Sequence, residues 1–511
     1  MNKSFQHAAE GMIVKKKRTR RPLVLASLII AMFMSAIEGT IVATAMPNIV
    51  GDLGGFSLYS WVFSAFLLMT AVTTLIYGKL ADLFGRKPIF IFGVVVFLVG
   101  SLLCGFSKSM VMLVFSRFIQ GIGAGAVQPI SQTIVGDMYT VEERAKIQGY
   151  LASVWGISAV LGPLVGGLIV QYSDWAWIFW MNVPLGILGM IGIVLFLHED
   201  IEKTDHSIDY AGSALIIISI TSLMVVLIQG GVAWSWLSWP VIGLLALFVA
   251  SLVIFLWHEN RAASPMMPLH LWKNRLIALA NVATLTSGMI MIGLSSFLPT
   301  FVQGVMGYSA IVAGFTLTMM SVGWPIASSF AGHIFLKIGY RATAILGGFA
   351  LFIGGLFFIF LSADKGPVWA GAGSFFTGIG MGLTATTFIV SIQNSVGWKT
   401  RGIATASNMF MRMLGSALGA AILGGILNTR MKDYLSDKGA SLGQNITVNN
   451  ANELLAGNSH LPAKAMHLLE NALSHALHSV YEAVFIFAVV TLVLTIFLPK
   501  PQRKSGYNRK N

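Results

Sequence analysis

Apolar runs of about twenty residues, the length a helix needs to cross the hydrocarbon core of a bilayer, recur along almost the whole of this chain. Bounded by charge, glycine or proline, they fall at 22–46, 58–80, 88–106, 110–131, 147–170, 176–197, 208–229, 239–257, 275–301, 309–331, 343–361, 368–392, 403–428 and 479–498. Hydrophobic residues make up 56% of the sequence and charged residues 10%, which excludes a water-soluble fold. The expectation is an all-α polytopic membrane protein with 14 transmembrane helices, its lipid partner the bilayer itself.

Lysine and arginine set the expected orientation. With the N-terminus inside, 25 of the 33 basic residues lie on the inner side, and six lie outside: Lys108, Lys365, Arg430, Lys432, Lys438 and Lys464. Arg117 and Arg412 fall within spans. The positive-inside bias therefore predicts both termini in the cytoplasm of a multi-pass cell-membrane protein. It also accounts for the net charge of +13 without a nucleic-acid partner. Residues 1–21 read as a basic cytoplasmic tail with no signal-peptide core, so no cleaved leader is expected. Residues 499–511 read as a second tail, and the polar stretch 429–478 as an external loop. The single cysteine, Cys104, excludes an intramolecular disulfide and a cysteine-based metal cluster.

The chain contains an internal repeat. GKLADLFGRK at 78–87 aligns with GHIFLKIGYR at 332–341, and FIQGIGAG at 118–125 with FFTGIGMG at 375–382. Gly149, Gly162 and Gly166 align with Gly402, Gly415 and Gly419. The offsets of 254, 257 and 253 residues describe two homologous halves, an N-terminal six-helix bundle over 22–197 and a C-terminal one over 275–498. Residues 198–274 then carry two inserted helices, expected to be lipid-facing spacers. Such duplication suits alternating access, in which two similar bundles rock about a central site; channels can also be duplicated. Chemistry is concentrated in the first half, where Asp82, Arg117 and Pro163 stand opposite Leu336, Ser374 and Ser416.

Glu38 lies well inside the first apolar run, where a carboxylate is expensive and therefore points to function. The plainer alternative is an acid paired to a neighbouring helix for structure alone. Other acids sit at span edges or in loops, so a proton bound and released inside the membrane would use Glu38. Burial would raise its proton affinity, and a nearby cation, either substrate or Arg117, would oppose that rise. Arg117 must find an acid, a carbonyl dipole or water, or else snorkel to the outer interface. Nothing in the sequence puts it in contact with Glu38. At the turn between spans 2 and 3, Gly78 and Gly85 permit close backbone approach, while Asp82 can face Arg86 or a helix N-terminus of the other bundle as a conformational latch. In span 5, Gly162, Pro163, Gly166 and Gly167 suit close packing with a kink, and so a bending gate. Trp61, Phe66, Gln120, Asn408, Met411 and Arg412 are the expected substrate-contact residues, since adaptable aromatic and methionine surfaces accept varied hydrophobic ligands.

These motifs resemble those of the major facilitator superfamily, and the fourteen-span count looks like its larger drug:proton antiporter family. GKLADLFGRK resembles the superfamily's loop signature, and SRFIQGIGAG the span-4 signature associated with proton coupling, with Arg117 matching its arginine. GISAVLGPLVGG is similar to the antiporter signature, which implies that span 5 also seals against proton leak. IEGTIVATAMP resembles the first-helix signature of the fourteen-span family, with Glu38 in place of its usual Asp, one methylene longer at the same charge. As a whole the chain looks like the Bacillus multidrug-efflux transporters of this family. The resemblance implies a major facilitator fold and proton-driven export of structurally varied amphipathic, often cationic drugs, by a protein acting as a monomer. Two other functions stay open from the residues: a proton-coupled transporter of one metabolite, and a non-transporting membrane sensor. No nucleotide loop, metal-ligand set or nucleophile and base arrangement is present, so neither an enzyme nor a cofactor other than the coupling proton is expected.

Overall fold

Helices account for nearly all of the computed structural model, which describes residues 19–54, 58–199, 209–230, 234–262, 265, 269–439 and 463–500. The first half holds α1 (Arg21–Leu53), α2 (Tyr59–Phe84), α3 (Arg86–Gly105), α4 (Met110–Met138), α5 (Val141–Tyr172), the short α6 (Trp177–Trp180) and α7 (Asn182–Phe196). The inserted pair is α8 (Tyr210–Gln229) and α9 (Trp239–Glu259). After the single turn α10 (His270–Lys273) come α11 (Arg275–Gly304), α12 (Ala310–Ile359), α13 (Gly366–Ser395), α14 (Trp398–Gly439) and α15 (Ala463–Ile496). The basic tails lie outside the described residues except for 19–21 and 499–500.

Local chemistry sets several boundaries. Ser109 caps α4 by accepting from the Met112 amide, Asp209 caps α8 through the Gly212 amide, and Thr140 with Glu143 forms a reciprocal capping box at the start of α5. Among the described residues, thirteen helices are long and apolar enough to cross a membrane. One of them, α12, has 50 residues. At ~1.5 Å per residue it would run about 75 Å, against a core of about 30 Å. It is two spans, broken at Gly339, whose φ of 82° and ψ of 166° are not helical. The aligned Gly85 has nearly the same conformation, φ 94° and ψ 157°, where α2 gives way to α3. The fold is therefore that of fourteen transmembrane helices, two six-helix bundles with two helices inserted between them.

Close packing repeats the duplication. A Cβ on Gly121 or Gly125 of α4 would strike α2, and one on Gly123 would strike α3. The aligned Gly378 and Gly382 meet the first part of α12, and Gly380 meets its second part. Gly162 and Gly166 of α5 abut Thr40 and Ile41 of α1, just as Gly415 and Gly419 of α14 abut Leu285 and Met289 of α11. Gly149 touches Ser329 across the halves, and its counterpart Gly402 touches Gly78 and Asp82 across them in the reciprocal direction. Such small-residue contacts let membrane helices approach where lipid offers no hydrophobic drive.

Two expectations change. The stretch 429–478 is not simply a loop: α14 continues to Gly439 and α15 begins at Ala463, with only 440–462 outside the described residues. Met431, Leu435, Leu469 and Leu473 on these extensions belong to the C-terminal core, because an apolar residue every three or four positions makes a helix face even in a polar stretch. Nor is α8 a spacer facing lipid throughout. Its Ile216, Ile220 and Met224 pack with Leu75 of α2, Ile277 of α11 and Ile403 of α14, over the seam between the halves.

Candidate functional site

Glu38 is fully buried in the N-terminal bundle. One carboxylate oxygen pairs with Arg117 Nη1 of α4, and the other accepts from Asn182 Nδ2 of α7 at 2.6 Å. Arg117 is equally enclosed and donates from Nε to Val62 O at 3.1 Å and from Nη1 to Gln120 Oε1 at 2.7 Å. Gln120 Nε2 in turn donates to Ser101 Oγ of α3 at 2.7 Å, and Asn182 Nδ2 reaches the same hydroxyl at 3.2 Å. The Phe66 ring lies 4.2 Å from the guanidinium carbon, and Phe179 of α6 lies 5.9 Å from it. A buried ion pair is tolerated when its remaining lone pairs and protons are satisfied, and here three helices contribute polar side chains and a fourth a backbone carbonyl to that task.

The structure thus brings Glu38 and Arg117 together and resolves the choice between pairing and snorkelling. Phe66 and Gln120, expected against substrate, stand beside the pair, Phe66 against the guanidinium and Gln120 as a further acceptor for it. Both are buried, and Gln120 is fully enclosed, because an arginine away from water recruits every nearby acceptor and ring face. Asn182 and Ser101 carry no charge and do not stand out in the sequence. A lone amide opening the apolar run NVPLGILGMIGIVLF is the signal that could have found Asn182.

A second cluster sits at the turn between α2 and α3. Asp82 contacts Arg86 Nη2 at 2.9 Å and accepts from the backbone amides of Gly402 and Ile403 at 2.9 and 2.8 Å, in the other half. Arg86 Nη2 donates to Trp398 O at 2.7 Å, and its guanidinium carbon lies 3.9 Å from the centre of the Trp398 ring. Trp398 O and Gly402 N–H, four residues apart, are groups that a helix normally pairs; the Asp82 and Arg86 side chains meet both. Arg86 Nε also donates to Asp137 Oδ2 at 2.9 Å, and Asp137 Oδ1 pairs with Arg401. Glu199 holds the exposed first amides of α3, accepting from Arg86 N and Lys87 N at 2.9 and 3.0 Å.

Further bonds join the halves at the same end. Gln393 Nε2 donates to Gln132 O at 3.0 Å, Arg144 Nη1 to Asn394 Oδ1 at 3.2 Å, and Arg401 Nη1 to Gly136 O at 3.0 Å. A Cβ on Gly78 would stand 2.4 Å from that of Ala406, so this glycine permits the seam to close. Asp137, Arg401 and Trp398 were not singled out in sequence, since their pairing depends on how two distant halves meet.

The other expected residues are dispersed. Gly162 and Gly166 pack α5 on α1, Gly167 has open space beside it, and the Pro163 side chain lies outside the described residues. Asn408 is buried and donates to Asn281 Oδ1 and Thr284 Oγ1 of α11 at 3.0 and 2.9 Å, so it ties two helices of the C-terminal bundle together. Trp61 and Met411 are half-buried, as is Arg412, whose guanidinium carbon lies 6.0 Å from the Trp324 ring.

Two bundles related by repeat, joined at one end by a charged turn and holding a buried acid and arginine in the first, have the architecture of a membrane transporter. The chain belongs to the Major Facilitator Superfamily, which it matches over residues 28–420. It is 35% identical to the multidrug transporter protein MdtP of Bacillus subtilis, over 96% of this chain and 95% of that protein. Multidrug resistance protein 3 of the same organism is also 35% identical, over 96% and 97%. Among solved structures, the human organic anion transporter MFSD10 superposes with a TM-score of 0.62 at 12% identity, covering 92% of this chain and all of the other, which shows the shared fold. The protein is a multi-pass membrane transporter and not an enzyme.

Proposed function

We propose that this protein is a proton-coupled antiporter that exports amphipathic, often cationic drugs from the cytoplasm, with Glu38 as its proton-binding group. The observation that carries the reading is the enclosed Glu38–Arg117 pair. The two Bacillus relatives named as multidrug proteins support the substrate class. The basic turns at 79–87 and 399–401 support a cytoplasmic latch by the positive-inside bias, with both termini on that side as well. The chain then stands closed to the cytoplasm.

A proton entering from outside converts Glu38 to a neutral acid and removes half of the ion pair. Asn182 can serve both protonation states. Its amide NH₂ donates to the carboxylate, and a flipped amide presents Oδ1, which has no hydrogen-bond partner among the described residues, to a carboxylic acid proton. Arg117, released from one acceptor, keeps Val62 O and Gln120. Two helices lead from this event to the seam between the halves. Helix α4 carries Arg117 and, 20 residues on, Asp137 of the latch, a separation of about 30 Å along one helix. Helix α1 carries Glu38 and, beside it, Thr40, whose hydroxyl donates to Ser158 O of α5 at 3.2 Å, and α5 crosses to α12 at Gly149 and Gly156. Substrate and proton need only favour different states of this assembly for exchange to be coupled.

The test is transport of one cationic and one neutral amphipathic compound in reconstituted vesicles under an imposed pH gradient. The proposal expects gradient-dependent accumulation in normal protein and its loss in Glu38→Gln. Accumulation unchanged by collapse of the gradient would remove the coupling assignment.

A further inference from the structure

On the side of the molecule away from the latch, a cavity of about 710 Å³ opens between the end of α8, the outer part of α14 and α15. Its size lies within the range of about 300–1,000 Å³ common for small-molecule sites, and its lining is graded. Leu227, Ile422, Ile426 and Ile486 form an apolar wall, on which Ile422 and Ile486 are exposed, while Thr429, Arg430, Ser479 and Glu482 supply the polar part of the lining. Glu482 is exposed on α15, two residues into the apolar stretch that begins near Val480. Among the described residues neither Glu482 nor Arg430 has a hydrogen bond or an ion pair. A carboxylate at that depth with no protein partner is costly unless water or a ligand answers it.

We propose that this groove holds a zwitterionic phospholipid. The ammonium group meets Glu482, the phosphate meets Arg430 with the Thr429 and Ser479 hydroxyls, and one acyl chain follows Ile422, Ile426 and Ile486 inward. The pair of opposite charges decides the occupant. A purely cationic amphiphile would leave Arg430 facing like charge, and a purely anionic lipid would do the same to Glu482. Trp236, 41% exposed in the connection between α8 and α9, closes the side of the groove. The lipid therefore fills the gap between the inserted pair and the C-terminal bundle. This site is separate from Glu38 and stands or falls without the proton coupling.

Native mass spectrometry of the full chain, purified and exposed to equal phosphatidylethanolamine and phosphatidylglycerol, tests the assignment. Retention of phosphatidylethanolamine should exceed that of phosphatidylglycerol about tenfold, the factor that one charge-assisted contact supplies. Glu482→Gln should abolish the preference, whereas Arg430→Gln should weaken retention of both lipids, whose phosphate it meets, and leave the preference in place. Gly425→Leu supplies a steric arm. No heavy atom lies within 4 Å of a Cβ at Gly425, so the leucine folds into the groove and should expel the lipid while thermal unfolding stays near normal. Equal retention of both lipids, or retention unchanged in Gly425→Leu, would overturn the proposal. So would displacement of lipid by dodecyltrimethylammonium that depends on Glu482 and not on Arg430, which would make the groove a cation site.

Discussion

Replacing Glu38 by Gln keeps the shape of the side chain and removes its charge, which leaves Arg117 buried against neutral acceptors. The structure gives the scale of the effect. Arg117 retains Val62 O at 3.1 Å and Gln120 Oε1 at 2.7 Å, but it exchanges a charge-assisted bond for a neutral one. That exchange forfeits about 1 kcal/mol, since charge-assisted bonds are roughly twice as strong as neutral ones. Stranding a buried charge by removing its partner costs about 3–5 kcal/mol in all. Arg117→Gln strands Glu38 by the same logic, although the carboxylate can escape by taking a proton. The double variant Glu38→Gln, Arg117→Gln strands nothing and loses only the pair. It should therefore unfold at a higher temperature than Glu38→Gln in the same detergent, with a coupling of about 2 kcal/mol or more across the cycle. Additive losses, or a Glu38→Gln midpoint equal to that of the normal protein, would refute the reasoning that the pair is desolvated and mutually dependent.

Other expectations follow from the latch and the fold. Asp82→Asn weakens the contact to Arg86 and to the Gly402 and Ile403 amides; spin labels at Glu142→Cys and Lys399→Cys, in a Cys104→Ser background, should report a longer distance between the halves. Gly78→Val should have the same effect for a steric reason, because even a Cβ stands 2.4 Å from that of Ala406; an unchanged label distance would contradict the role given to this seam. Gly339→Ala places a Cβ at φ 82°, and should destabilise the chain by about 1–3 kcal/mol in thermal or denaturant unfolding. Gly243→Ala on α9, with open space beside it, is the control and should change neither stability nor transport.

The sequence reading reached the fold because bilayer thickness, apolar length and glycine spacing are local properties. Gly85 and Gly339 were aligned as residues of one motif before their shared backbone conformation was visible. Contacts across the bundle were not legible in the sequence, even where the candidate residues were. Glu38 and Arg117 stood out as charges in apolar runs, and burial left each with the other. Asn182 and Ser101 did not, because amides and hydroxyls are common in membrane helices and bond as readily to backbone as to a carboxylate. Arg401 and Asp137 are 264 residues apart, and their meeting depends on the orientation of two whole bundles. The polar character of 429–478 hid two helical extensions whose apolar residues are spaced at three to four positions. The place of Phe66 and Gln120 beside the guanidinium was not legible either, since a side chain that would suit a drug also suits a buried arginine.

The central claim is that Glu38 takes up and gives back the coupling proton. Purified protein in a weakly buffered solution with a pH-sensitive dye, mixed with a cationic substrate near the pH at which Glu38 is half protonated, tests it most directly. Normal protein should release protons on binding, over a window of pH, and Glu38→Gln should bind the compound and release none. Equal proton release from the two proteins would contradict the account.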